Sequence, residues 1–500
     1  MDFSEKQIRP QYGILSVLMV GAFISFLNNT LLNVALPSIM TELKVDPPTV
    51  QWLTTGFMLV NGVLIPTTAF LIEKYTVRRL FLVAMGLFTI GTILSGTAHV
   101  FSILLIGRMI QASGSAIMMP LLMNVMLVSF PVEKRGAAMG VFGLILMFAP
   151  AIGPTLSGWI IEHYDWRMLF HFITPIAAIV FILGFIMLKD KKEKVSLRLD
   201  FFSLVLSSIG FGGLLYGFSS AGNKGWGSPY VYGTIIIGVI ALTWFILRQS
   251  KLNIPMLNFG VYRYPMFALA SVITMVVNMA MFSGFLLLPI YLQTILGISP
   301  MKTGLLLLPG AILNAIMSPI NGRLFDKFGG RILATTGLAI TTVTTYLFSQ
   351  LTVDTSYMHL VVLHAVRMFG MSMVFMPVST NGLNQLPRNL YPHGTAVNNT
   401  LNQVSAAIGT GLLITLMSLK EESTISNLVK GLQGQPTEAQ MVEFQLMGML
   451  DGINFTFFVS TFLVLFALIL AFFIKRAKQE EDITGKQKPK SGVKPTLAKN

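Results

Sequence analysis

Three side chains capable of charge or proton chemistry lie inside long apolar stretches of the sequence: Arg108, His364 and Arg367. A guanidinium group in apolar surroundings is costly, so it normally faces a cavity or a hydrogen-bonding partner. An imidazole titrates near neutral pH and can carry a proton, but a single apolar-stretch histidine also serves as a packing residue. Arg367 likewise has two interpretations, charge handling and structural support. These three residues are the candidates for charge or proton relay.

Carboxylates are missing from the same stretches. All 21 Asp and Glu residues lie outside the apolar stretches or at their ends. A proton carrier is ordinarily a buried carboxylate, because burial moves its pKa towards neutrality. Amides could instead line a polar cavity and offer neutral hydrogen bonds, and 30 Met and 37 Phe supply adaptable apolar surface. The amide candidates are Asn28, Asn29, Gln111, Asn278, Asn398, Asn399 and Gln403. With Arg108 present, such a cavity favours neutral or anionic amphiphiles over cations.

Charged residues cluster where two apolar stretches end, at Glu73 and at Asp326. A carboxylate that faces the first turn of a neighbouring helix is stabilised by the helix dipole, so these clusters predict a contact that can close and open. The candidate switch residues are Glu73, Lys74, Arg79, Asp326, Lys327, Arg331, Gly153, Pro154 and Gly158. Proline kinks a helix and glycine permits close packing. Simple anchoring by basic residues and ordinary helix packing are the alternatives.

The composition defines the elements that must position these residues. Of 500 residues, 53% are hydrophobic and 11% are charged, whereas a soluble domain carries roughly 25% charged residues. This excludes a soluble enzyme, a nucleic-acid-binding protein and a disordered chain. The absence of cysteine excludes disulfides and thiolate metal sites. No nucleophile–base pair, nucleotide loop or metal-binding pattern occurs, so we expect no enzyme activity and no cofactor.

Apolar segments long enough to cross about 30 Å of hydrocarbon as helices recur along the chain. They lie at roughly 13–36, 49–72, 80–99, 102–129, 137–161, 168–188, 201–221, 230–248, 266–292, 302–325, 331–350, 357–381, 393–418 and 453–474. Lipid offers no partner to backbone groups, so each segment must be helical. The prediction is an all-α polytopic membrane protein with fourteen transmembrane helices.

The positive charges orient these helices. With both termini in the cytoplasm, six basic residues lie outside (Lys44, Arg167, Lys224, Lys302, Lys420 and Lys430), two lie within spans, and the rest lie on inward segments. The net charge of +14 therefore reflects topology and not a nucleic-acid partner. The basic start of the tail could contact anionic lipid, or the tail could simply be solvated and disordered.

The chain contains an internal repeat. The turn from Phe70 to Leu80 resembles the turn from Gly322 to Leu333, with Glu73 aligned on Asp326, and Arg108 aligns on Arg367. Both correspondences shift by eight spans. The predicted organisation is a cytoplasmic N-terminus (1–12), a six-helix bundle (13–188), a linker with two inserted helices (189–265), a second six-helix bundle (266–475) with an extracellular segment (419–452), and a basic cytoplasmic tail (476–500). Such duplications are typical of transporters that rock two bundles about a central site.

Several motifs carry a family resemblance. FLNNTLLNVALPSI (Phe26 to Ile39), GRMIQASGSA (Gly107 to Ala116), APAIGPTLSG (Ala149 to Gly158), YLQTILGISPMKTGLLLLPGA (Tyr291 to Ala311) and the turn from Gly322 to Arg331 occur in order. With them the chain resembles the major facilitator superfamily, and within it the fourteen-span drug:proton antiporters of the QacA/EmrB type. The chain departs from the pattern at Asn28, where most of that family has Asp, and at Glu73 and Thr76 of the first turn motif.

The resemblance implies a secondary active exporter of amphipathic small molecules in a bacterial cell membrane. It implies that Arg108 lies near a central cavity and takes part in proton handling, and that the motif around Pro154 serves antiport. We expect a monomer in contact with membrane lipids. Two alternatives stay open: a lipid or amphiphile flippase on the same fold, and a non-transporting membrane sensor.

Overall fold

The computed structural model describes residues 12–45, 47–50, 52–189, 200–431 and 436–476, and this part of the chain is helical. The predicted N-terminal segment before residue 12, linker residues 190–199 and the tail from residue 477 lie outside the described residues. The long helices are α1 Tyr12–Leu43, α2 Trp52–Leu64 with Thr68–Lys74, α3 Val77–Gly96, α4 Phe101–Ser129, α5 Arg135–His163, α6 Met168–Met187, α7 Phe201–Lys224, α8 Pro229–Gln249, α9 Pro265–Ile290, α10 Pro300–Phe328, α11 Gly330–Phe348, α12 Tyr357–Ser372 with Phe375–Leu383, α13 Tyr391–Lys430 and α14 Glu438–Ala471.

Twelve of these helical segments are long and apolar enough to cross a membrane. The segments outside that set are α5 and the threonine-rich α11, and both are packed among the others. The all-helical, many-span architecture is therefore confirmed for the described residues. The total of fourteen spans and the cytoplasmic position of both termini stay predictions. "Inner" below denotes the predicted cytoplasmic end, where Glu73 and Asp326 lie.

Helix packing follows the sequence repeat. In the first half, α1 packs on α5 and α6, α2 packs on α4, and α3 packs on α4 and α6. In the second half, α9 packs on α13 and α14, α10 on α12, and α11 on α12 and α14. Each pairing recurs after a shift of eight helices. The halves meet along two seams that the repeat also makes equivalent, between α5 and α10 and between α2 and α13.

The inserted helices α7 and α8 break this equivalence. They form a hairpin that packs closely at glycines; a Cβ on Gly213 would stand 2.7 Å from the Thr234 carbonyl oxygen. Helix α7 then packs on both α2 and α13. The insertion therefore lies along the α2–α13 seam and touches both halves there.

The region 419–452, predicted to be an extracellular segment between two spans, is largely helical over its described residues. Its described residues continue helices α13 and α14, which run to Lys430 and start at Glu438. The two helices pair along this extension, where Thr424 donates a hydrogen bond to Asp451 at 3.1 Å. At about 1.5 Å per residue, the 40 residues of α13 exceed a bilayer core of about 30 Å, so the extension projects beyond the core.

Candidate functional site

Arg108 lies at the centre of a buried polar cluster in the first half. Its two terminal nitrogens donate to Gln111 Oε1 and Asn29 Oδ1, both at 3.0 Å. Gln111 in turn donates to Thr92 Oγ1 at 2.8 Å. The guanidinium carbon stands 4.3 Å from the Phe57 ring centroid, a cation–π contact. Its described hydrogen-bond acceptors are amides and not carboxylates, so the cluster retains a positive charge in apolar surroundings.

Several buried polar atoms of α1, α2 and α4 have no hydrogen-bond partner among the described residues. Arg108 Nε, Asn28 Nδ2, Thr54 Oγ1 and Asn61 Oδ1 are buried and make no hydrogen bond within the described protein. Thr54 and Asn61 flank Phe57 at helical spacing, so they share the face of α2 that meets Arg108. Unpaired buried polar atoms are costly. This face can therefore accept hydrogen-bonding groups from a ligand.

Arg367, the repeat partner of Arg108, is also fully buried but has different neighbours. Its Nη2 donates to the Ala280 carbonyl and to Ser283 Oγ, both at 3.2 Å. The position equivalent to Gln111 is Gly370, so the amide partner of the first half is missing. The Nε and Nη1 atoms of Arg367 have no hydrogen-bond partner among the described residues. His364, on the same helix, packs against Gly310 and has an unpaired Nδ1.

The remaining predicted cavity residues lie in the second half. Asn278 donates to Asn402 Oδ1 at 2.8 Å, and Asn398 donates to Ser379 Oγ at 3.1 Å. Asn399 reaches the first half, with its amide 3.7 Å from the Met123 sulfur. Gln403 is half-buried. The predicted amides therefore form two groups, one around Arg108 and one along α9 and α13.

The α5–α10 seam is closed at the inner end by Asp326. Its two carboxylate oxygens accept the backbone N–H groups of Gly136 (2.8 Å) and Ala137 (2.9 Å), in the first turn of α5. This is the position where a helix dipole favours a negative charge. Glycines let the backbones meet, since a Cβ on Gly322 would stand 2.9 Å from the Gly136 carbonyl carbon and 3.1 Å from Ala137 Cα. Ser318 adds a hydrogen bond to the Gly140 carbonyl at 2.8 Å.

Arg135 and His393, which the sequence analysis did not single out, also join the halves. Arg135 donates to Asn384 Oδ1 at 3.1 Å and lies 4.8 Å from the Tyr391 ring centroid. His393 Nε2 lies 3.0 Å from Glu73 Oε1 across the α2–α13 seam. Their position in the sequence could have identified them, since each is a polar residue at the start of a long apolar stretch that follows an inner turn.

The basic residues of the predicted switch lie at helix ends. Lys74 stands over the Phe70 and Tyr75 rings, and Lys327 over the Phe328 ring. Arg79 and Arg331 are exposed. These positions fit interfacial anchoring as well as switching.

The motif in α5 contacts α1, another helix of the same half, at one of its two glycines. A Cβ on Gly153 would collide with Thr30 of α1, whereas Gly158 has no atom within 4 Å of that position. Pro154 lies in α5, but its side chain falls outside the described residues. The backbone of α5 therefore approaches α1 at Gly153 and is open at Gly158.

The outer end of the first half is tied by an ionic cluster. Arg167 donates to Glu42 Oε1 at 2.6 Å and to the Ala98 carbonyl at 2.9 Å, and Trp166 donates to Glu42 Oε2 at 2.7 Å. Burial of Arg167 works to lower its pKa, but the hydrogen bond to Glu42 and the charges of Asp165 and Glu42 raise it above its ordinary value. This cluster links α1, α3 and α6 within one half.

Comparisons with known proteins agree with this architecture. The family model of the Major Facilitator Superfamily matches residues 18–410. The chain is 41% identical over 473 residues to the lincomycin resistance protein LmrB of Bacillus subtilis, covering 94% of this chain and 97% of that protein. It is 54% identical over 412 residues to the uncharacterized MFS-type transporter YhcA of the same organism (82% and 77%).

A solved structure shows the same fold. The human organic anion transporter MFSD10 superposes with a TM-score of 0.64 at 14% identity, covering 92% of this chain and 99% of that one. At 14% identity, this similarity shows a shared fold and nothing about function. With a family match over most of the sequence and relatives above 40% identity, the chain belongs to the major facilitator superfamily, a family of transporters and not of enzymes.

Proposed function

We propose that this protein is a secondary active exporter of amphipathic small molecules that works by alternating access. The observation that carries the proposal is the inner closure between two repeat-related halves, built from Asp326 on the first turn of α5 and from glycine contacts between α5 and α10. Gly158, nearer the outer end of α5, has no described atom within 4 Å of the position where a Cβ would stand. This arrangement suits an outward-facing conformation whose inner contacts break when the transporter turns inward.

The Arg108 cluster supports a substrate class. A buried guanidinium with amide partners and a free Nε would attract a hydrogen-bond acceptor or an anionic group and disfavour a cation. Together with polar side chains, Met281, Met371, Phe375 and Met376 of the second half line a small cavity beside Gly143 of α5. Such side chains adapt to varied apolar groups. Neutral or anionic amphiphiles are the expected substrates.

The proposal also covers the topology, the membrane location and the driving force of transport. We propose fourteen spans with both termini in the cytoplasm, a monomer in contact with membrane lipids, and a location in the bacterial cell membrane. Inward proton flow drives export, with Arg108, His364 and Arg367 as the charged or titratable groups inside the spans. The family resemblance and the burial of these three residues support this assignment.

The test is transport in proteoliposomes that contain a trapped pH dye. Wild type and Arg108→Ala are challenged with a neutral amphiphile, an anionic amphiphile and a quaternary ammonium dye, and Lys224→Ala, at the exposed outer end of α7, is the matched control. We expect proton flux that accompanies the neutral or anionic substrates in wild type and control and is lost in Arg108→Ala.

Each other outcome points to a different function. Substrate movement without proton flux would contradict antiport and favour a facilitator or a flippase. Movement of neither substrate nor protons in wild type would contradict transport and favour a sensor. Export restricted to the quaternary ammonium dye would contradict the proposed substrate class.

A further inference from the structure

One histidine joins three elements at the inner end of the α2–α13 seam. His393, in the first turn of α13, has a side chain that is 5% exposed and lies 3.0 Å from Glu73 Oε1 of α2. Its other ring nitrogen, Nδ1, lies 3.1 Å from the backbone nitrogen of Asn258. Asn258 belongs to the linker that connects the inserted helix α8 to α9. The imidazole therefore contacts both halves and the linker.

These contacts define the tautomer of the ring. A backbone N–H is a donor and cannot accept, so His393 Nδ1 must be the acceptor from Asn258. In the neutral ring the proton then lies on Nε2, which donates to Glu73. Adding a second proton at Nδ1 would set two N–H groups against each other. The contact with Asn258 therefore requires an uncharged imidazole, whereas the contact with Glu73 survives in both charge states.

The sequence explains why a side chain is needed here. Asp326 at the equivalent seam accepts two backbone N–H groups from the start of α5. At the start of α13 the second residue is Pro392, which has no N–H to offer. His393 supplies the donor in its place. A titratable group thus occupies a position that is filled by backbone in the other seam.

The linker contact continues into the inserted hairpin through hydrogen bonds. Gln249, at the end of α8, accepts the Met256 N–H at 2.7 Å and donates to Ser203 Oγ of α7 at 2.6 Å. Ser203 donates to Asp200 at 2.7 Å. A polar chain therefore runs from the inner end of the inserted helices, through the linker, to His393 and Glu73.

We propose that His393 is a proton-sensitive positioning residue that holds the linker and the inserted helices against the closed inner seam and releases them when Nδ1 is protonated. The inference rests on the proposed alternating-access function. Glu73 faces the ring from α2, Arg135 of α5 lies over the neighbouring Tyr391, and Arg388 lies on the turn before α13. The charged linker residues, Lys251 and Arg263, are exposed.

Hydrogen–deuterium exchange of the purified protein tests the proposal directly, because the Asn258 N–H is the reporting group. In wild type, protection of the peptide covering residues 255–262 should fall about tenfold between about pH 8 and about pH 5.5, after correction for intrinsic exchange rates. The peptide covering the outer turn from Lys224 to Pro229 serves as the internal control and should not change.

Two variants distinguish the roles of the two ring nitrogens of His393. His393→Asn keeps an acceptor near the Nδ1 position without a titrating group, so the peptide should stay protected at both pH values. His393→Gln keeps a donor towards Glu73 without that acceptor, so the peptide should be unprotected at both. Equal pH dependence in wild type and His393→Asn, or no pH dependence in wild type, would overturn the proposal.

Failure of the broader function gives a different result. If the proteoliposomes transport nothing while the exchange pattern follows the predicted order, the histidine device stands and the exporter proposal fails. If proton-coupled export is observed while exchange in the linker ignores pH and both variants, the exporter proposal stands and His393 is an ordinary structural contact.

Discussion

The two inner seams are equivalent by the sequence repeat, yet different chemistry closes them. At the α5–α10 seam a carboxylate caps the start of a helix and glycine brings backbone against backbone. At the α2–α13 seam a carboxylate meets a histidine, and the linker packs beneath it. The first seam has no side-chain donor in the contact between Asp326 and α5. At the second seam, the contact with the linker requires an uncharged imidazole, whereas the contact with Glu73 is made in both charge states.

The comparison teaches that a duplicated motif need not retain one mechanism. The acid is kept in both halves, but its partner follows from the first residues of the facing helix, Arg135-Gly136-Ala137 in one case and Tyr391-Pro392-His393 in the other. A backbone N–H carries no titratable charge, whereas an imidazole that gains a proton at Nδ1 loses its acceptor for the linker N–H. We therefore expect the α5–α10 seam to set the strength of closure and the α2–α13 seam to adjust it.

The largest effect is expected from Gly322→Ala, which tests whether backbone contact closes the first seam. The added methyl group would meet the backbone of Gly136 and Ala137, which cannot move aside cheaply. Labelling of Ser318→Cys by a small maleimide should rise at least about tenfold and export should be lost, as the population shifts to the inward-open state. The chain has no native cysteine to interfere. Gly158→Ala is the control, and equal labelling of both variants would contradict a backbone-closed seam.

A smaller difference is expected between the two acids. Asp326→Asn removes the charge at the start of α5 and sets an amide against one of two N–H groups, an unpaired donor that costs about 1–3 kcal/mol. Glu73→Gln keeps an acceptor for His393 and should change labelling of Ser318→Cys far less. Asp354→Asn, on an exposed turn, is the control. A Glu73→Gln effect as large as that of Asp326→Asn would show that the seams contribute equally.

Arg135→Lys should have an intermediate to small effect, because it acts on a contact between the seams. Lysine keeps the charge but cannot donate in the same geometry to the Phe130 carbonyl and Asn384 while lying on the Tyr391 ring. Export should slow about threefold to tenfold, because the charge is kept and the loss corresponds to about 0.5–1.5 kcal/mol, the net value of one ordinary hydrogen bond. Arg79→Lys, at an exposed position, should leave the rate unchanged, and the rate of drug efflux from loaded vesicles is the measurement.

The smallest effect is expected from Asp200→Asn, which tests the far end of the linker chain. Hydrogen bonds from Arg248 and then Ser203 lower the pKa of Asp200 below its ordinary value. The unfolded pKa is therefore the higher one, so the stabilisation is present at neutral pH and is lost as the pH falls through the folded value. Thermal unfolding in detergent should show Asp200→Asn below wild type near pH 7 and converging with it below about pH 4. A constant difference in unfolding temperature across this pH range would show that ionisation of Asp200 does not stabilise the fold.

The sequence predicted much of the fold because lipid leaves the backbone few choices. Long apolar runs must be helices, and the correspondence of Arg108 with Arg367 anticipated the shared pairing of helices in both halves. The continuation of α13 and α14 beyond the spans was not predicted, because residues 419–452 are polar at first and then amphipathic, although Thr437 and Gln440 form a capping box that starts α14. The threonine-rich α11 is the opposite case, because it was predicted as a helix although its hydropathy is modest.

The site was predictable where one residue type dictates the surroundings, and not where partners come from distant segments. The burial of Arg108 and the position of Asp326 at a helix start follow from the cost of charge and from the helix dipole. The Asn384 partner of Arg135, 249 residues away in the chain, and the Asn258 contact of His393, 135 residues away, depend on tertiary packing. No local pattern marks such pairs, since an asparagine in a turn has many possible roles.

The glycine contacts between α5 and α10 have a mechanical consequence, because they act as a fulcrum placed near one end of a lever. From Gly140 the helix continues to His163, about 35 Å at about 1.5 Å per residue. While these inner contacts hold, a tilt of one degree at the fulcrum would displace the far end by about 0.6 Å, whereas the inner turn, a few residues from the pivot, hardly moves. Small rearrangements around Asp326 would thus be magnified into wide movements at the outer mouth, and a side chain larger than hydrogen at the pivot would shift the whole range of that motion.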